Sequence, residues 1–130
     1  MNNKIIGNKF ENDVAKKLCF LGCWVSPFPG NNHTNSQPAD LITCIDNVPA
    51  LIDCKTLKNK NGLFPLNRIE ENQRLCYKKW KECGNQDYYL VILWNNNVYF
   101  VSLDDIDFSK KSYDLKTEEP VWEDFYEINC

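Results

Sequence analysis

The sequence predicts an α/β fold with a mixed central β-sheet of about five strands flanked by helices. Two segments space their apolar residues as helices do, and five short segments are rich in strand-forming residues. Their order along the chain is α, β, β, β, α, β, β. With 130 residues, of which 43% are apolar and 25% charged, the chain fits a single domain over residues 1–130.

The first helix is predicted over residues 8–21. Asn8 and Glu11 have the spacing of a capping box, and Gly22 ends the helical pattern. Four apolar residues recur at helical spacing: Phe10, Val14, Leu18 and Leu21. The segment CWVSPF then predicts a short strand, and PGNNHTNSQP predicts a polar loop because it is rich in turn residues.

Two strands are predicted next, at about 39–45 and 48–56, joined by a two-residue turn at 46–47. With that turn, the numbers of paired residues sum to 93, so Asp40 lies directly opposite Asp53. The Cβ atoms of opposed residues are roughly 4.5 to 5.5 Å apart, and like charges at that distance are destabilising. We therefore expect another group to compensate for this pair.

The second helix is predicted over the segment RIEENQRLCYKKWKEC, with Asn67 as its N-cap, Gly84 after its end and a loop, LKNKNGLFPLN, before it. YYLVILW, the turn NNN and VYFVSL predict a further hairpin, whose nearly all-apolar first strand is expected to be central. Residues 104–130 form an acidic extension. Its last part, VWEDFYEIN, fits an amphipathic helix, an edge strand or a segment that packs only in a dimer.

Several classes of protein are disfavoured by composition. No apolar run is long enough to span a membrane, and the N-terminus lacks the apolar stretch of a secretory signal, so we expect a cytoplasmic protein with no membrane partner. Seven scattered cysteines without CxxC pairs predict reduced thiols rather than a zinc site. Abundant Asn, Lys and Ile indicate an AT-rich genome, such as that of a phage or a low-GC bacterium.

Charge is unevenly distributed along the chain, whose net charge is -3. From Lys55 to Lys81, eight Lys or Arg residues stand against two Glu, a net charge of +6. From Asp104 onward, three Lys stand against nine acidic residues, a net charge of -6. A solvated helix face with an acidic tail explains this pattern, and so does a surface that faces phosphates.

The predicted hairpin gathers charged residues on one face. Alternation places Asp53 and Lys55 on the side away from Ile52 and Cys54, and Asp40 joins them by its register. Mg²⁺ takes oxygen ligands from one or two carboxylates and keeps several waters, while a neighbouring lysine can hold a water or stabilise charge on a phosphate. The alternative is that both aspartates lie at frayed strand ends in water, where an ion pair contributes little.

Two further polar residues belong to this hypothesis. Glu11 shares one side of the first helix with Val14 and Leu18, so it can lean over the sheet, although the capping box alone would also account for it. Gln73 lies on an apolar helical face with Trp80, where a buried amide needs partners. It is either a satisfied core amide or part of a site.

The arrangement resembles the PD-(D/E)xK nuclease superfamily. The matching residues are PAD ending at Asp40, twelve intervening residues, and DCK at 53–55. GNKFENDVAKKL resembles the first-helix signature of Holliday junction resolvases of the RecU and Hjc type, and IEENQRL is similar to the helix in which RecU-like proteins carry a glutamine. The hairpin and KKSYDL extend the resemblance over roughly residues 7–115. Ala39 separates Pro38 from Asp40 where the family has adjacent Pro and Asp, and the chain is short for the RecU stalk insertion.

The resemblance implies a restriction-endonuclease-like core and a homodimeric, metal-dependent endodeoxyribonuclease that resolves four-way (Holliday) junctions in DNA recombination and repair. It implies an Mg²⁺ site, with Mn²⁺ as a substitute, formed by Glu11, Asp40, Asp53 and the main-chain carbonyl of Cys54. Lys55 and Gln73 would position the attacking water. In the preceding loop, His33, Thr34 and Ser36 fall where the family places DNA-facing polar residues.

Contacts to the DNA backbone are expected from the basic segment, chiefly from Lys58, Lys60, Arg68, Arg74 and Lys78. Two alternatives remain. One is a nuclease of the same superfamily with another target, such as a restriction-like or repair endonuclease. The other is a non-catalytic DNA-binding protein that keeps only the fold, which the intact set of Glu11, Asp40, Asp53 and Lys55 argues against.

Overall fold

The structure is a computed structural model that describes residues 3–28, 37–85 and 87–127, and the side chains from residue 8 onward within them. The loop residues His33, Thr34 and Ser36 lie outside the described residues. The elements in chain order are α1 (Asn3–Phe20), β1 (Trp24–Pro27), β2 (Leu41–Ile45), β3 (Val48–Thr56), β4 (Leu63–Pro65), α2 (Glu71–Glu82), β5 (Asp87–Trp94), β6 (Asn97–Ser102) and β7 (Ser112–Asp114). Within these residues, no helix combines the length and the apolar character needed to cross a membrane.

The central sheet has five strands in the order β1-β2-β3-β5-β6. β3 and β5 run parallel, and the other neighbouring pairs are antiparallel. A parallel pair needs a crossover, and α2 lies in the connection between β3 and β5. This mixed sheet flanked by helices confirms the predicted fold class and the interior position of β5.

Each face of the sheet carries one helix and one apolar cluster. α1 places Phe10, Val14 and Leu18 against residues of one face, including Ile52 and Val91. The opposite face is larger and is covered by α2 and by the segments around β4 and β7. It contains Leu51, Leu90, Ile92, Phe64, Ile69 and Leu103, with Cys76, Tyr77 and Trp80 of α2 packed against them. Because Asp53 and Lys55 alternate with Ile52 and Cys54, their side chains are on the α2 face.

Each of the two hairpins of the sheet has a two-residue turn in which both residues have positive φ. Asp46 and Asn47 have φ of 48° and 69° in the first hairpin, and Asn95 and Asn96 have φ of 51° and 61° in the second. These values are those of the turn type that matches the twist of paired strands. The first turn gives the predicted register, with numbers summing to 93. In the second hairpin Asn97 already pairs with Trp94, so the predicted three-residue turn is wrong by one residue.

Both helices begin elsewhere than predicted. α1 begins at Asn3, so Asn8 lies inside the helix and is not its N-cap. α2 begins at Glu71, and its N-cap is Glu70 rather than Asn67. The Glu70 side chain accepts the main-chain N–H of Gln73, and Gln73 Oε1 accepts the Glu70 N–H at 3.0 Å, which completes a capping box.

The segment predicted as a loop before α2 contains a short strand. β4 pairs antiparallel with β7, with Phe64 opposite Tyr113, and the two form a separate small sheet. Residues Leu66–Arg68 follow as a 3₁₀ turn. Part of the acidic extension is therefore structured, and it folds back beside the segment that leads to α2.

The aromatic segment 121–126 closes the β6 edge of the sheet. Val98 and Trp122 form an isolated antiparallel bridge, so this segment is neither a helix nor a regular strand. Asn96 holds its end, because Asn96 Nδ2 donates to the Tyr126 carbonyl at 2.8 Å and Asn96 Oδ1 accepts the Tyr126 N–H at 3.0 Å. Phe125 lies edge-on to Phe10 of α1 at 5.7 Å between centroids. The segment thus joins the sheet edge to α1.

Candidate active site

The candidate site lies where β3 extends past the start of β2. The last ladder pair between them is Leu41 with Ile52, so the backbone of β3 from Asp53 to Thr56 has β5 on one side only. Asp40 fills the first part of that opening. Its N–H donates to the Ile52 carbonyl at 2.9 Å, and its carbonyl accepts the Phe28 N–H at 3.0 Å. Asp40 is therefore fixed in the sheet rather than frayed.

The Asp40 side chain continues the ladder that β2 leaves incomplete. Its Oδ2 accepts the main-chain N–H of Cys54 at 2.8 Å. A buried N–H without an acceptor is costly, which explains why a short acidic side chain fits here. This hydrogen bond also fixes the orientation of the carboxyl toward the neighbouring Asp53.

Asp53 is buried, with only 2% of the residue exposed. Lys55 Nζ lies 3.2 Å from Asp53 Oδ2, an ion-pair distance, but the direction of approach does not make a hydrogen bond. Within the described part of the chain, Asp53 Oδ2 has no hydrogen-bond donor at all. A buried carboxylate oxygen without a donor calls for an explanation, and a further positively charged partner would provide one.

Electrostatic shifts show that three carboxyl groups share one neighbourhood. Burial and then the charge of Asp40, opposed by Lys55, raise the pKa of Asp53 to about 7. The pKa of Asp40 is raised by burial and then by Glu11, against the Cys54 N–H and Lys55. Burial, followed by Asp53, also raises the pKa of Glu11. The site is short of positive charge.

These groups fit a divalent cation in part. Oxygen ligands suit Mg²⁺, and the unpartnered Asp53 Oδ2 beside Asp40 is a ligand that such a cation would satisfy. Across residues 3–28, 37–85 and 87–127, however, no three His, Cys, Asp or Glu side chains are gathered closely enough to hold a metal ion. Glu11 reaches the neighbourhood from α1 on the other face of the sheet. The fit therefore rests on the pair Asp40 and Asp53.

Gln73 has a structural role in addition to any catalytic one. It is buried, with 7% of the residue exposed, and its amide belongs to the capping box with Glu70. Its neighbour Asn72 donates to the Gln37 carbonyl at 3.1 Å, which connects the first turn of α2 to the segment that precedes Asp40. The start of α2 therefore supports the site.

The expected DNA-contacting residues divide into two groups. Lys58, Lys60 and Lys78 are exposed. Arg68 and Arg74 are anchored in the fold instead. Arg68 Nη1 donates to the Thr56 carbonyl at 2.8 Å and its guanidinium lies 5.2 Å from the Phe64 ring centroid. Arg74 Nη2 donates to the Leu66 carbonyl at 3.1 Å and lies 4.6 Å from the Phe108 ring.

Arg68 is also close to the acidic site. Burial lowers the pKa of its guanidinium, and the charge of Asp53 opposes that change. Its anchor, Thr56, follows Lys55 directly in β3. Arg68 therefore brings a fixed positive charge to the same neighbourhood as Asp53, which the sequence placed only within a general basic segment.

Two supports of the site were not predicted. Tyr88 of β5 is 1% exposed, and its hydroxyl donates to the Pro38 carbonyl at 2.6 Å, two residues before Asp40. Tyr126 donates to Asp13 Oδ2 at 2.7 Å, one turn or less from Glu11 on α1. Nothing in the segment YYLVILW predicts the role of Tyr88, because an apolar strand gives no reason to expect a buried hydroxyl that donates to another segment.

Comparisons with known proteins bear on the fold. No protein-family model matches the chain, and no curated protein matches it by sequence. Among solved structures, Hjc, a Holliday junction resolvase from the archaeal hyperthermophile Archaeoglobus fulgidus, is similar with a TM-score of 0.62 and 15% identity over 82% of this chain and 84% of that chain. The bacterial homing endonuclease I-Ssp6803I is similar with a TM-score of 0.52 and 16% identity over 85% and 72%. The chain thus has the restriction-endonuclease-like fold that is found in Hjc.

Proposed function

We propose that the protein is a metal-dependent endonuclease that hydrolyses DNA phosphodiesters, with four-way junctions as its substrate. The observation that carries this proposal is the buried pair Asp40 and Asp53 with Lys55 beside it, at the open end of β3. The two solved structures described above are both nucleases, which supports the proposal at the level of the fold.

The two aspartates have roles that follow from their surroundings. Asp40 is oriented by the Cys54 N–H, and Asp53 presents an oxygen without a donor, so these two would hold Mg²⁺ or Mn²⁺. Glu11 and the main-chain carbonyl of Cys54 are the further ligands that the family resemblance implies, although the Glu11 side chain is not gathered with the aspartate pair here. A bound divalent cation supplies a water of lowered pKa and neutralises charge on the phosphate.

The positively charged residues act on the substrate rather than on the cation. Lys55 lies 3.2 Å from Asp53 Oδ2, so its ammonium is positioned to hold the attacking water or to stabilise charge on a phosphate oxygen. Gln73 would assist in positioning that water. Exposed Lys58, Lys60 and Lys78 would hold the DNA backbone without reading its sequence. Two copies of the chain, acting as a homodimer, would nick symmetric strands.

The test compares cleavage of a four-way junction, a flap and a linear duplex in Mg²⁺ and in EDTA. Asp53→Asn should lower junction cleavage by more than about 100-fold, the upper end of what the loss of an outer-shell partner causes at a metal site. Asp105→Asn makes the same chemical change at an exposed position and should cut like the wild type. Equal cleavage by Asp53→Asn, or full cleavage in EDTA, would overturn the proposal.

A second candidate is a nuclease of linear duplex DNA, which the similarity to a homing endonuclease favours. The same substrate panel separates the two candidates. Preference for the junction supports resolution, whereas preference for the linear duplex, with the same loss in Asp53→Asn, keeps the chemistry and changes the target.

A further inference from the structure

The edge of β3 that β2 leaves open has a charged side chain fixed at each end. Main-chain groups of successive strand residues point alternately to the two sides, so Cys54 and Thr56 share the open side, while Leu57 donates its N–H to β5 at 2.8 Å. Asp40 Oδ2 accepts the Cys54 N–H at 2.8 Å, and Arg68 Nη1 donates to the Thr56 carbonyl, also at 2.8 Å. The Cys54 carbonyl therefore lies between a fixed carboxyl group and a fixed guanidinium group.

The turn that carries Arg68 is anchored in the fold. Arg68 is the last residue of a 3₁₀ turn that begins at the buried Leu66, and Ile69, which follows it, is buried as well. The Leu66 N–H donates to the Lys111 carbonyl at 2.9 Å, and the Arg68 guanidinium lies 5.2 Å from the centroid of the Phe64 ring. A charged donor held in this way can act on a substrate without first being ordered.

Most of the hydrogen-bonding capacity of Arg68 is unused. Within the described residues, its side chain makes a single hydrogen bond, the one to Thr56, and no carboxylate lies within ion-pair distance of its guanidinium. Its remaining N–H groups are open to solvent. The fork of donors in a guanidinium matches the oxygens of a phosphate. Arg68 can therefore bind a phosphate while it keeps its bond to Thr56.

We propose that Arg68 is a catalytic residue that binds an oxygen of the phosphate being cut and stabilises the negative charge that develops there. The proposal rests on the proposed function, because the phosphate is that of the DNA substrate, and it gives Arg68 a role apart from the backbone contacts of the exposed lysines. The guanidinium stays protonated throughout, so it supplies charge and hydrogen bonds but transfers no proton.

This role separates the tasks of the two cations near Asp53. Lys55 Nζ lies 3.2 Å from Asp53 Oδ2, so a carboxylate balances much of its charge and holds it beside that oxygen. Arg68 has no carboxylate at such a distance in the described part of the chain, and it lies at the far end of the open edge from Asp40. Lys55 is therefore placed for the attacking water, and Arg68 for the phosphate.

A purely structural role for Arg68 is the competing explanation. The Thr56 carbonyl needs a donor because β2 does not reach it, and Arg68 provides one. A neutral amide at position 68 would meet that need as well, so a structural role does not require a positive charge. Glutamine at this position separates the two roles, because it keeps a donor and removes the charge.

The test measures two quantities with a labelled four-way junction: affinity in EDTA by fluorescence anisotropy, and the cleavage rate in Mg²⁺ with protein in saturating excess. Arg68→Gln should lower the cleavage rate by about 100-fold, the effect of removing one transition-state donor, and should lower affinity by less than about threefold. Arg68→Lys keeps a charge but lacks the planar fork, so its rate should lie between those of the wild type and Arg68→Gln.

Two lysine variants serve as controls. Lys60→Ala removes an exposed charge from the same basic segment, and it should lower affinity more than it lowers the rate. Lys110→Ala removes an exposed charge outside that segment and should leave both quantities unchanged. Thermal unfolding of each variant ensures that cleavage is compared between folded proteins.

Equal cleavage rates for Arg68→Gln and the wild type would overturn the proposal. So would equal losses of rate in Arg68→Gln and Arg68→Lys that accompany a lowered unfolding temperature, because that pattern belongs to a structural role. If the glutamine variant does not fold, Arg68→Lys decides the question. A loss of rate at an unchanged unfolding temperature then supports the proposal, and any other result overturns it.

Asp53→Asn keeps this test separate from the test of the nuclease. If the wild type cuts the junction, Asp53→Asn does not cut it and Arg68→Gln cuts it at the wild-type rate, the nuclease stands and only this role of Arg68 fails. If the wild type cuts no DNA substrate at all, both proposals fail.

Discussion

The two antiparallel hairpins of the central sheet begin with the same kind of turn and end differently. In the second hairpin all six residues of β6 pair with the last six of the eight residues of β5, and segment 121–126 covers the outer edge of β6. In the first hairpin β3 continues for four residues beyond its last partner in β2. The second hairpin is therefore a closed apolar unit, whereas the first leaves one side of a buried strand open.

This difference shows how a site arises from strand length as well as from residue type. At the same level of the sheet, Leu90 in β5 stands next to Asp53 in β3. Leu90 has apolar neighbours, and Asp53 has an acid on one side and an incomplete ion pair on the other. The first hairpin keeps, at its open end, a local arrangement of charges that folding alone disfavours.

The largest effect should come from the closed hairpin. Leu90 is 1% exposed, and Leu90→Ala should lower the free energy of unfolding by about 2–5 kcal/mol, the usual range for a buried leucine. Urea denaturation measures this change, and Leu75→Ala, at an exposed position, should shift it by less than about 0.5 kcal/mol. A loss below about 1 kcal/mol for Leu90→Ala would contradict the closed packing.

In the open hairpin, a substitution at Asp53 is expected to raise the free energy of unfolding rather than lower it. The pKa of Asp53 is raised from its ordinary value of 3.8 to about 7, so its protonated form favours folding. That contribution is complete below about pH 4 and is lost as the pH rises through about 7. Asp53→Asn removes this dependence and should raise the free energy of unfolding by about 1–3 kcal/mol at pH 8.

Urea denaturation at several pH values from 4 to 8 checks the sign. Wild-type stability should fall over this range relative to the variant, and the two should agree near pH 4. Asp40 and Glu11 remain in the variant to balance Lys55. Curves that stay parallel over the whole range would show that Asp53 ionises without penalty and that the open hairpin is not strained.

The smallest expected effects on stability come from glycine substitutions in the two hairpin turns. Glycine accepts positive φ without strain, so Asn47→Gly should change the free energy of unfolding by less than about 0.5 kcal/mol. Asn96→Gly has the same benefit but removes both hydrogen bonds to Tyr126, and it should lose about 1–2 kcal/mol. Thermal unfolding of the two variants side by side measures the contrast. Equal midpoints would mean that segment 121–126 does not depend on Asn96.

The register of the first hairpin was predictable because a two-residue Asp-Asn turn fixes the pairing of every residue after it. Once that register was given, the approach of Asp40 to Asp53 followed from numbers alone. The same reasoning explains why β5 was recognised as interior, since a strand covered on both faces is apolar throughout.

What escaped prediction depends on contacts between distant segments. β4 and β7 have three residues each, too few for an alternating pattern, and they exist because they pair with each other. Glu70 is an unusual N-cap, so Asn67 looked better by local preference. Arg68 is close to Asp53 because its guanidinium donates a hydrogen bond to the Thr56 carbonyl, and no sequence pattern predicts that bond.

The bond from Tyr126 to Asp13 joins positions 113 residues apart, and it secures the helix that carries Glu11. Contacts of such long range slow folding, because the intervening chain must be ordered before they can form. During synthesis α1 emerges early but finds this partner only after more than a hundred further residues have been added. The helix that carries Glu11 is therefore made first but is among the last parts of the candidate site to become rigid. A ribosome-bound chain that stops short of segment 121–126 carries the acidic residues of the candidate site without this support.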